Sequence, residues 1–242
     1  MMWSQLGLTG DMKVLDLGSG PGVVSCELAR TAHSGTVVGV DVNEMFVQLA
    51  RRVQATEGVS NLCFVQGNAY DLPFEADTFN FIYSRFLFQH LSEPVRALRE
   101  ALRVLKPNGI LCVADVDDGW LLLHPEPPEF AKFVMRAQAS QAALGGDRRV
   151  GRKLGGLFVE AGFEEVRPGV LPITTREIGM SRFLDIVTGF KHELIKTSCD
   201  AEMARELKAI HLAVEGSPDA WGAVGVFYAR GRKPSRPSAF ER

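Results

Sequence analysis

The stretch Lys13-Val-Leu-Asp-Leu-Gly-Ser-Gly-Pro-Gly22 constrains this chain more than any other. Val14, Leu15 and Leu17 form a short apolar run without helical spacing, and glycine ends it abruptly. That is the pattern of a buried parallel strand entering a tight turn. Gly18, Gly20 and Gly22 offer a backbone free of Cβ atoms, which lets a ligand approach the main chain closely. Pro21 opens a helix in which Val23, Val24, Leu28 and Ala29 recur at helical spacing, and its first N–H groups point back at the turn. Strand, glycine turn and helix together make the ligand-binding corner of a doubly wound α/β sheet.

Two kinds of ligand compete for such a corner. A dinucleotide site needs G-x-G-x-x-G, but Val23 stands where the third glycine would fall. Asp16, on the strand just before the turn, would repel a pyrophosphate and attract an ammonium or sulfonium group. The run Asp16-Leu-Gly-Ser-Gly-Pro-Gly22 resembles the first motif, D-x-G-x-G-x-G, of the class I S-adenosylmethionine (SAM)-dependent methyltransferases. The resemblance implies SAM as cofactor and S-adenosylhomocysteine (SAH) as its product. It places Asp16, Gly18, Ser19, Gly20 and Gly22 around the methionine end.

Thr36-Val-Val-Gly-Val-Asp41 reads as the second strand, and Asn43 as the N-cap of the helix that follows. One strand–helix–strand unit separates Asp16 from Asp41. An acid at this strand tip can accept hydrogen bonds from both ribose hydroxyls. Val42 and Met45 are expected to give apolar contact to the ribose or adenine. A third strand, Asn61–Gly67, leads to Asn68, where the family often has an acid that pairs with the adenine amino group. The Asn68 carbonyl can accept the same bond; the alternative is a loop asparagine capping its own turn. The Ala69 N–H is the expected partner of an adenine ring nitrogen, and Asp71 reads as a loop carboxylate.

Thr78–Ser84 reads as the fourth strand. Carboxyl ends of parallel strands face the crevice, so Ser84, Arg85 and Phe86 are expected to line its floor beside the reactive methyl. The Asp/Asn-Pro-Pro-Tyr/Phe motif of base-methylating members is absent there, which disfavours DNA amino-methylation. His90 is the one general-base candidate, with structural hydrogen bonding as its other reading. Val104-Leu-Lys-Pro-Asn-Gly109 and a fifth strand, Ile110–Val116, are similar to the family's late L-K-P-G-G pattern. Asp115, Asp117 and Asp118 follow, and are expected to be solvated rather than to ligate Mg²⁺, so no metal is expected. The basic run from Gly145 to Leu154 is likewise expected to be a solvated face.

Trp120–Pro128 reads as an apolar, proline-stiffened loop, followed by a helix from Glu129 to Leu144. Trp120, Leu123 and His124 are substrate-pocket candidates, with core packing as the alternative. After a sixth strand at about 164–175, residues 178–215 read as helical, with Phe183, Ile186, Val187, Phe190, Leu194 and Ile195 on one face. A final strand spans Trp221–Arg230, and residues 233–242 read as a disordered tail. Few residues precede the first strand, so segments 117–147 and 178–215 are expected to form a helical lid, with Phe183 touching substrate. The resemblance covers residues 6–116 closely and 151–234 more loosely. It implies a single domain over 1–242: a doubly wound, Rossmann-like α/β sheet of seven strands in the order 3-2-1-4-5-7-6, strand 7 antiparallel.

The 242 residues carry a net charge of −2, so no overall basic field exists to collect nucleic-acid phosphates. The expected partner is a small molecule; no feature decides oligomeric state. Cys26, Cys63 and Cys112 lie inside apolar elements and read as core residues suited to a reducing cytoplasm, with Cys199 apart from them. No leader precedes the first strand and no apolar run reaches the roughly 18 residues of a membrane span, so the expectation is a soluble, cytoplasmic protein. The expected function is methyl transfer from SAM to an O, N or C nucleophile of a small metabolite, in the style of quinone or natural-product methyltransferases. Two alternatives stay open: a SAM-binding protein of this fold with other chemistry, and an NAD-linked oxidoreductase. Asp16 and the missing third glycine count against the second.

Overall fold

The computed structural model describes residues 3–188, 201–215 and 217–235. Its sheet has seven strands in the order β3-β2-β1-β4-β5-β7-β6. The strands are β1 (Lys13–Leu17), β2 (Thr36–Asp41), β3 (Leu62–Gln66), β4 (Phe79–Arg85), β5 (Leu105–His124), β6 (Glu164–Thr174) and β7 (Trp221–Arg232). β1 to β5 pair in parallel, and β7 runs antiparallel to both β5 and β6. The connecting helices are α1 (Val23–Thr31), α2 (Glu44–Glu57), α3 (Pro94–Val104), α4 (Pro128–Ala143), α5 (Leu154–Ala161), α6 (Thr175–Ile178) and α7 (Ala201–Glu215). Residues 180–188 are also helical.

Apolar runs without polar alternation bury the central strands on both faces, and side chains two apart share a face. Leu15, Leu17, Ile82, Leu111 and Val113 join one core with Leu98 of α3 and Phe158 of α5. Val14, Val37, Phe81, Tyr83 and Cys112 join a second core with Leu28 of α1 and Ala50 of α2. A third cluster gathers Leu123, Phe130, Phe133, Phe183, Leu184 and Ile210 beyond the sheet. Among the described residues no helix is long and apolar enough to cross a membrane.

Several expectations are corrected. The first part of the loop expected over Trp120–Pro128 is sheet: β5 continues to His124, pairing Leu121 with Val224 and His124 with Trp221 after an irregularity between Val116 and Leu121. Asp117, Asp118 and Gly119 look like a turn in sequence but sit in that bulge, which re-aims the strand without ending it. The lid segment 117–147 is therefore part strand, part helix. Cys63 is exposed on β3, whereas Cys26 and Cys112 are buried. Lys233, expected to begin a loose tail, donates from Nζ to Asp77 at 2.8 Å and to the Leu105 carbonyl at 2.7 Å. Phe190, Leu194, Ile195, Cys199 and the tail beyond 235 lie outside the described residues.

The glycines of the β1–α1 turn have separate roles. Gly22, at φ +81, would place a Cβ 2.7 Å from Phe64 and 2.8 Å from Ala50, so its bareness lets α1 sit against α2 and β3. Gly58, which ends α2 at φ +65, has open space around its missing Cβ. Gly22→Ala should cost about 2–4 kcal/mol, the left-handed strain plus overpacking, and Gly58→Ala about 1–2 kcal/mol from strain alone. Urea denaturation of both variants compares them; equal losses would show that packing at Gly22 is not tight.

Candidate active site

Three adjoining cavities follow the carboxyl ends of the parallel strands. One of about 530 Å³ surrounds the glycine turn, between Asp16, Gly18, Ser19, Gly20, Pro21, Val24, Asn43, Phe46 and Arg85. A second, about 330 Å³, lies toward β3, lined by Leu17, Val40, Gly67, Asn68, Ala69, Tyr70 and Ser92. Gly18, Asp41, Val42, Leu87 and His90 line both, which makes them one crevice. A third cavity, about 720 Å³, meets the crevice at Arg85 and Phe86, which line both sides of the junction.

The turn itself is polar and open. Gly18 and Ser19 both donate backbone N–H bonds to the Val40 carbonyl, at 2.8 and 2.9 Å. The Gly20 N–H donates to Asp41 Oδ2 at 2.8 Å, and Asp41 Oδ1 accepts from the Asn43 N–H at 2.9 Å. A carboxylate has about four lone-pair directions, so Asp41 keeps two for a ligand. Gly20, at φ +51, has nothing within 4 Å of where a Cβ would stand. The Ser19 hydroxyl is buried and has no hydrogen-bond partner among the described residues. Asp16 is buried and accepts from Ser25 Oγ at 2.5 Å. Burial pushes its carboxyl up to about 6, against the pull of Ser25 and of the Arg85 guanidinium.

Asn68 does serve its own turn, its Oδ1 accepting from the Tyr70 N–H at 3.0 Å, while the residue still lines the crevice. Its second carbonyl lone pair is not engaged by that bond. Met45 projects to solvent, and Phe46, one position on along α2, faces the crevice instead. Ser84 is fully buried and donates to the Leu17 carbonyl at 2.8 Å, tying β4 to β1 below the floor rather than lining it. His90 lines the crevice and is absent from the lining of the third cavity. Its Nδ1 lies 3.3 Å from Gln141 Nε2 on α4. Desolvation, then the Arg148 charge, lowers its pKa.

None of the substrate candidates lines the third cavity. Leu123 and Phe183 are interior to the outlying apolar cluster. Trp120 packs edge-on against Phe227, with ring centroids 5.5 Å apart, and His124 faces Asp219 at 3.4 Å. The cavity is built instead from Trp3, Tyr83, Leu121, Leu171, Ile173, Val224 and Val226, among others. Trp3 meets Tyr83 edge-on at 4.9 Å. These residues are far apart in sequence; strand register brings together those on β4 to β7, and Trp3 joins them by packing on Tyr83.

The acidic trio, expected to be solvated, is buried, and so is Arg148 of the basic run, whereas Arg149, Arg152 and Lys153 are exposed as expected. Arg148 donates from Nε and Nη2 to the Asp118 carboxylate at 2.7 and 2.9 Å, and from Nη1 to Gln89 Oε1 at 2.8 Å. Arg152 Nη2 donates to Asp117 at 2.7 Å. The carboxylate of Asp115 accepts the Gln89 and Val116 N–H groups, and burial raises its pKa to about 7. Gln89 Nε2 in turn donates to the Phe86 carbonyl at 3.2 Å. Phe86 has φ +58, an uncommon conformation for a bulky residue, and this network holds it at the junction of the cavities.

The crevice fits SAM on three counts. A buried acid and a cation, Asp16 and Arg85, border one space, as an amino-acid zwitterion requires. The Ser19 hydroxyl lacks a partner, and the main chain at Gly20 is bare.

Comparison with known proteins agrees. A family model described as a methyltransferase domain matches residues 8–159. The ubiquinone/menaquinone biosynthesis C-methyltransferase UbiE of Yersinia pestis is 31% identical over 176 residues, covering 66% of this chain and 69% of that protein. An uncharacterized methyltransferase of Schizosaccharomyces pombe is 30% identical over 155 residues, 62% of this chain and 55% of its own length. The chain spans about half the length of several curated relatives it matches. The crystal structure of YcgJ from Bacillus subtilis superposes with a TM-score of 0.65 at 20% identity, covering 97% of both chains. The chain belongs to the methyltransferase-domain family, of the class I, SAM-dependent kind.

Removing Arg148 leaves the buried Asp118 charge uncompensated. Arg148→Met should cost about 3–5 kcal/mol, and the double variant Arg148→Met/Asp118→Leu should regain much of it, since apolar replacement of a buried pair is often near neutral. Chemical denaturation reads both; a double variant less stable than Arg148→Met alone would refute the pairing.

Proposed function

We propose that the chain transfers the SAM methyl group to a small-molecule acceptor. The observation that carries this reading is the lining of one crevice by buried Asp16, Arg85, the unpartnered Ser19 hydroxyl and the bare Gly20. Bound SAM supplies a methyl group already activated by its sulfonium. Asp16 holds the α-ammonium and Arg85 the α-carboxylate of the methionine end. Asp41 accepts from the ribose hydroxyls with Val42 beside it, and Asn68 and the Ala69 N–H meet the adenine. Phe86 separates this crevice from the third cavity and presents the acceptor to it. Much of the rate enhancement then comes from alignment of the acceptor with the methyl group. A volume of about 720 Å³ for the third cavity supports a small molecule over a nucleic-acid strand.

His90 is proposed to be part of the cofactor wall, because it lines the crevice and not the acceptor side. His90→Ala should weaken SAH binding several-fold by calorimetry. Unchanged SAH affinity with lost methylation of an acceptor would restore it as the base.

Asp16 sets a pH dependence. Its folded pKa of about 6 lies above the ordinary 3.8, so its contribution to stability is complete below pH 3.8 and is lost as pH rises through 6. Ligand binding runs the other way, because the ammonium needs the ionised carboxyl. The ionised fraction grows about tenfold between pH 5 and pH 7, so SAH affinity should rise by roughly that factor and then level off. Asp16→Asn should bind SAH weakly with a flat profile; a rise that survives the substitution would assign the titration to another group.

A further inference from the structure

The third cavity has a floor that none of the sequence motifs explains. In β5, β7 and β6, Val116 is in register with Val226, which is in register with Leu171. The next inward row is Leu121, Val224 and Ile173, again in register across the same three strands. All six line the cavity. Val226, Leu121 and Val224 pack in part against neighbouring core clusters, yet all six keep some solvent exposure and Leu171 is 40% exposed, so part of this apolar surface stays open to the cavity. Strands lie about 4.8 Å apart and same-face neighbours along a strand about 6.8 Å apart, so two rows of three make a flat tile of roughly 10 by 7 Å. The bulge in β5 between Val116 and Leu121 turns Trp120 off this face and brings the two rows into line.

Charge around the tile is compensated. Asp118 and Arg148 border the cavity but satisfy one another. Arg85 and Glu27, the other charged lining groups, sit on elements that adjoin the glycine turn, and Arg85 also faces the cofactor crevice. What remains for an acceptor is a flat, uncharged, aliphatic surface inside a volume of about 720 Å³.

We propose that the tile Val116–Val226–Leu171/Leu121–Val224–Ile173 holds the methyl acceptor, and that the acceptor is an uncharged planar ring system of two or three fused rings. The proposal rests on the methyl-transfer reading of the neighbouring crevice. A planar face of that size covers both rows at once and removes their apolar area from water. An anionic group on the ring would have to be desolvated against the tile, while Arg148 is held by Asp118 and Arg85, in the proposed reading, is taken by the SAM carboxylate.

A matched pair of fluorescent probes tests this directly. N-phenyl-1-naphthylamine is a neutral naphthalene, and 8-anilino-1-naphthalenesulfonate adds a sulfonate to the same skeleton. With saturating SAH, the neutral probe should bind one per chain and at least tenfold more tightly than the sulfonate. Leu171→Asp, on the exposed edge strand, and Val224→Asp, at the tile centre, should each weaken the neutral probe at least tenfold and leave SAH affinity unchanged. The Leu171 variant keeps the test intact if the central one fails to fold. Equal or tighter binding of the sulfonate, or a neutral probe indifferent to Leu171→Asp, overturns the proposal. Failure of the wild-type protein to bind SAH would instead overturn the cofactor reading, and the probe titration repeated without SAH would still decide on the tile.

Discussion

The hydrogen bond from the Gly20 N–H to the Asp41 carboxylate, 2.8 Å long, joins the tip of β1 to the tip of β2. The crevice depends on it. A turn that carries three glycines at positive φ has little intrinsic preference for one shape, and its entropy cost on ordering is high. Two further bonds, from Gly18 and Ser19 to the Val40 carbonyl, complete the clamp. The same carboxylate that organises the turn also begins α2 by accepting from the Asn43 N–H. One acidic side chain therefore shapes the phosphate-free turn, sets the following helix, and retains lone pairs toward the cavity.

Buried charge organises the other side. Asp118 and Arg148 are costly to bury and are held because each satisfies the other, with Gln89 as a third member. The chain of contacts runs on to the Phe86 carbonyl and so to a residue that, with Arg85, stands between the crevice and the third cavity. A bulky residue at φ +58 is retained only where its surroundings over-determine it. Here those surroundings are a guanidinium, an amide and a carboxylate drawn from β5, the turn after β4 and the loop before α5.

The readable parts of the site are those whose signals are local. Gly18–Gly22, Asp41 and Asn68 each lie at a strand end where a few adjacent residues define both backbone and chemistry, and the strand order follows once the crossovers are assigned. Errors arose where chemistry depended on a partner distant in the chain. Nothing local to Asp117-Asp118 or to Arg148 shows that these charges are buried and neutralise one another across the chain, while Arg149 and Arg152 keep the exposure that their segment suggests. Ser84 was placed one level too high because its hydroxyl answers to the Leu17 carbonyl on a neighbouring strand. Phe46 was missed for Met45 because a shift of one residue rotates a helix face by about 100°. Trp120, Leu123 and His124 lie off the third cavity for a further reason: a bulge is silent in composition, and the length of β5 beyond Val116 is decided by pairing with β7.

That division also separates what the two halves of the site can vary. The crevice is polar, hydrogen-bonded and built from short-range contacts, so most single changes in it leave a buried donor or acceptor unmet, a cost that restricts substitution. The tile is made of dispersion and area alone, on strands whose partners are fixed by backbone bonds rather than by side chains. Exchanging one aliphatic side chain there for another alters shape without stranding a polar group, at a cost of about 1 kcal/mol or less. Phe86, held from behind by Gln89, is where the two regimes meet. In the proposed reading, the crevice residues that hold SAM lie on β1, β2, β4 and the turns after β1 to β4, and the tile on β5, β6 and β7, so a change of aliphatic shape in the tile leaves the crevice's hydrogen bonds in place.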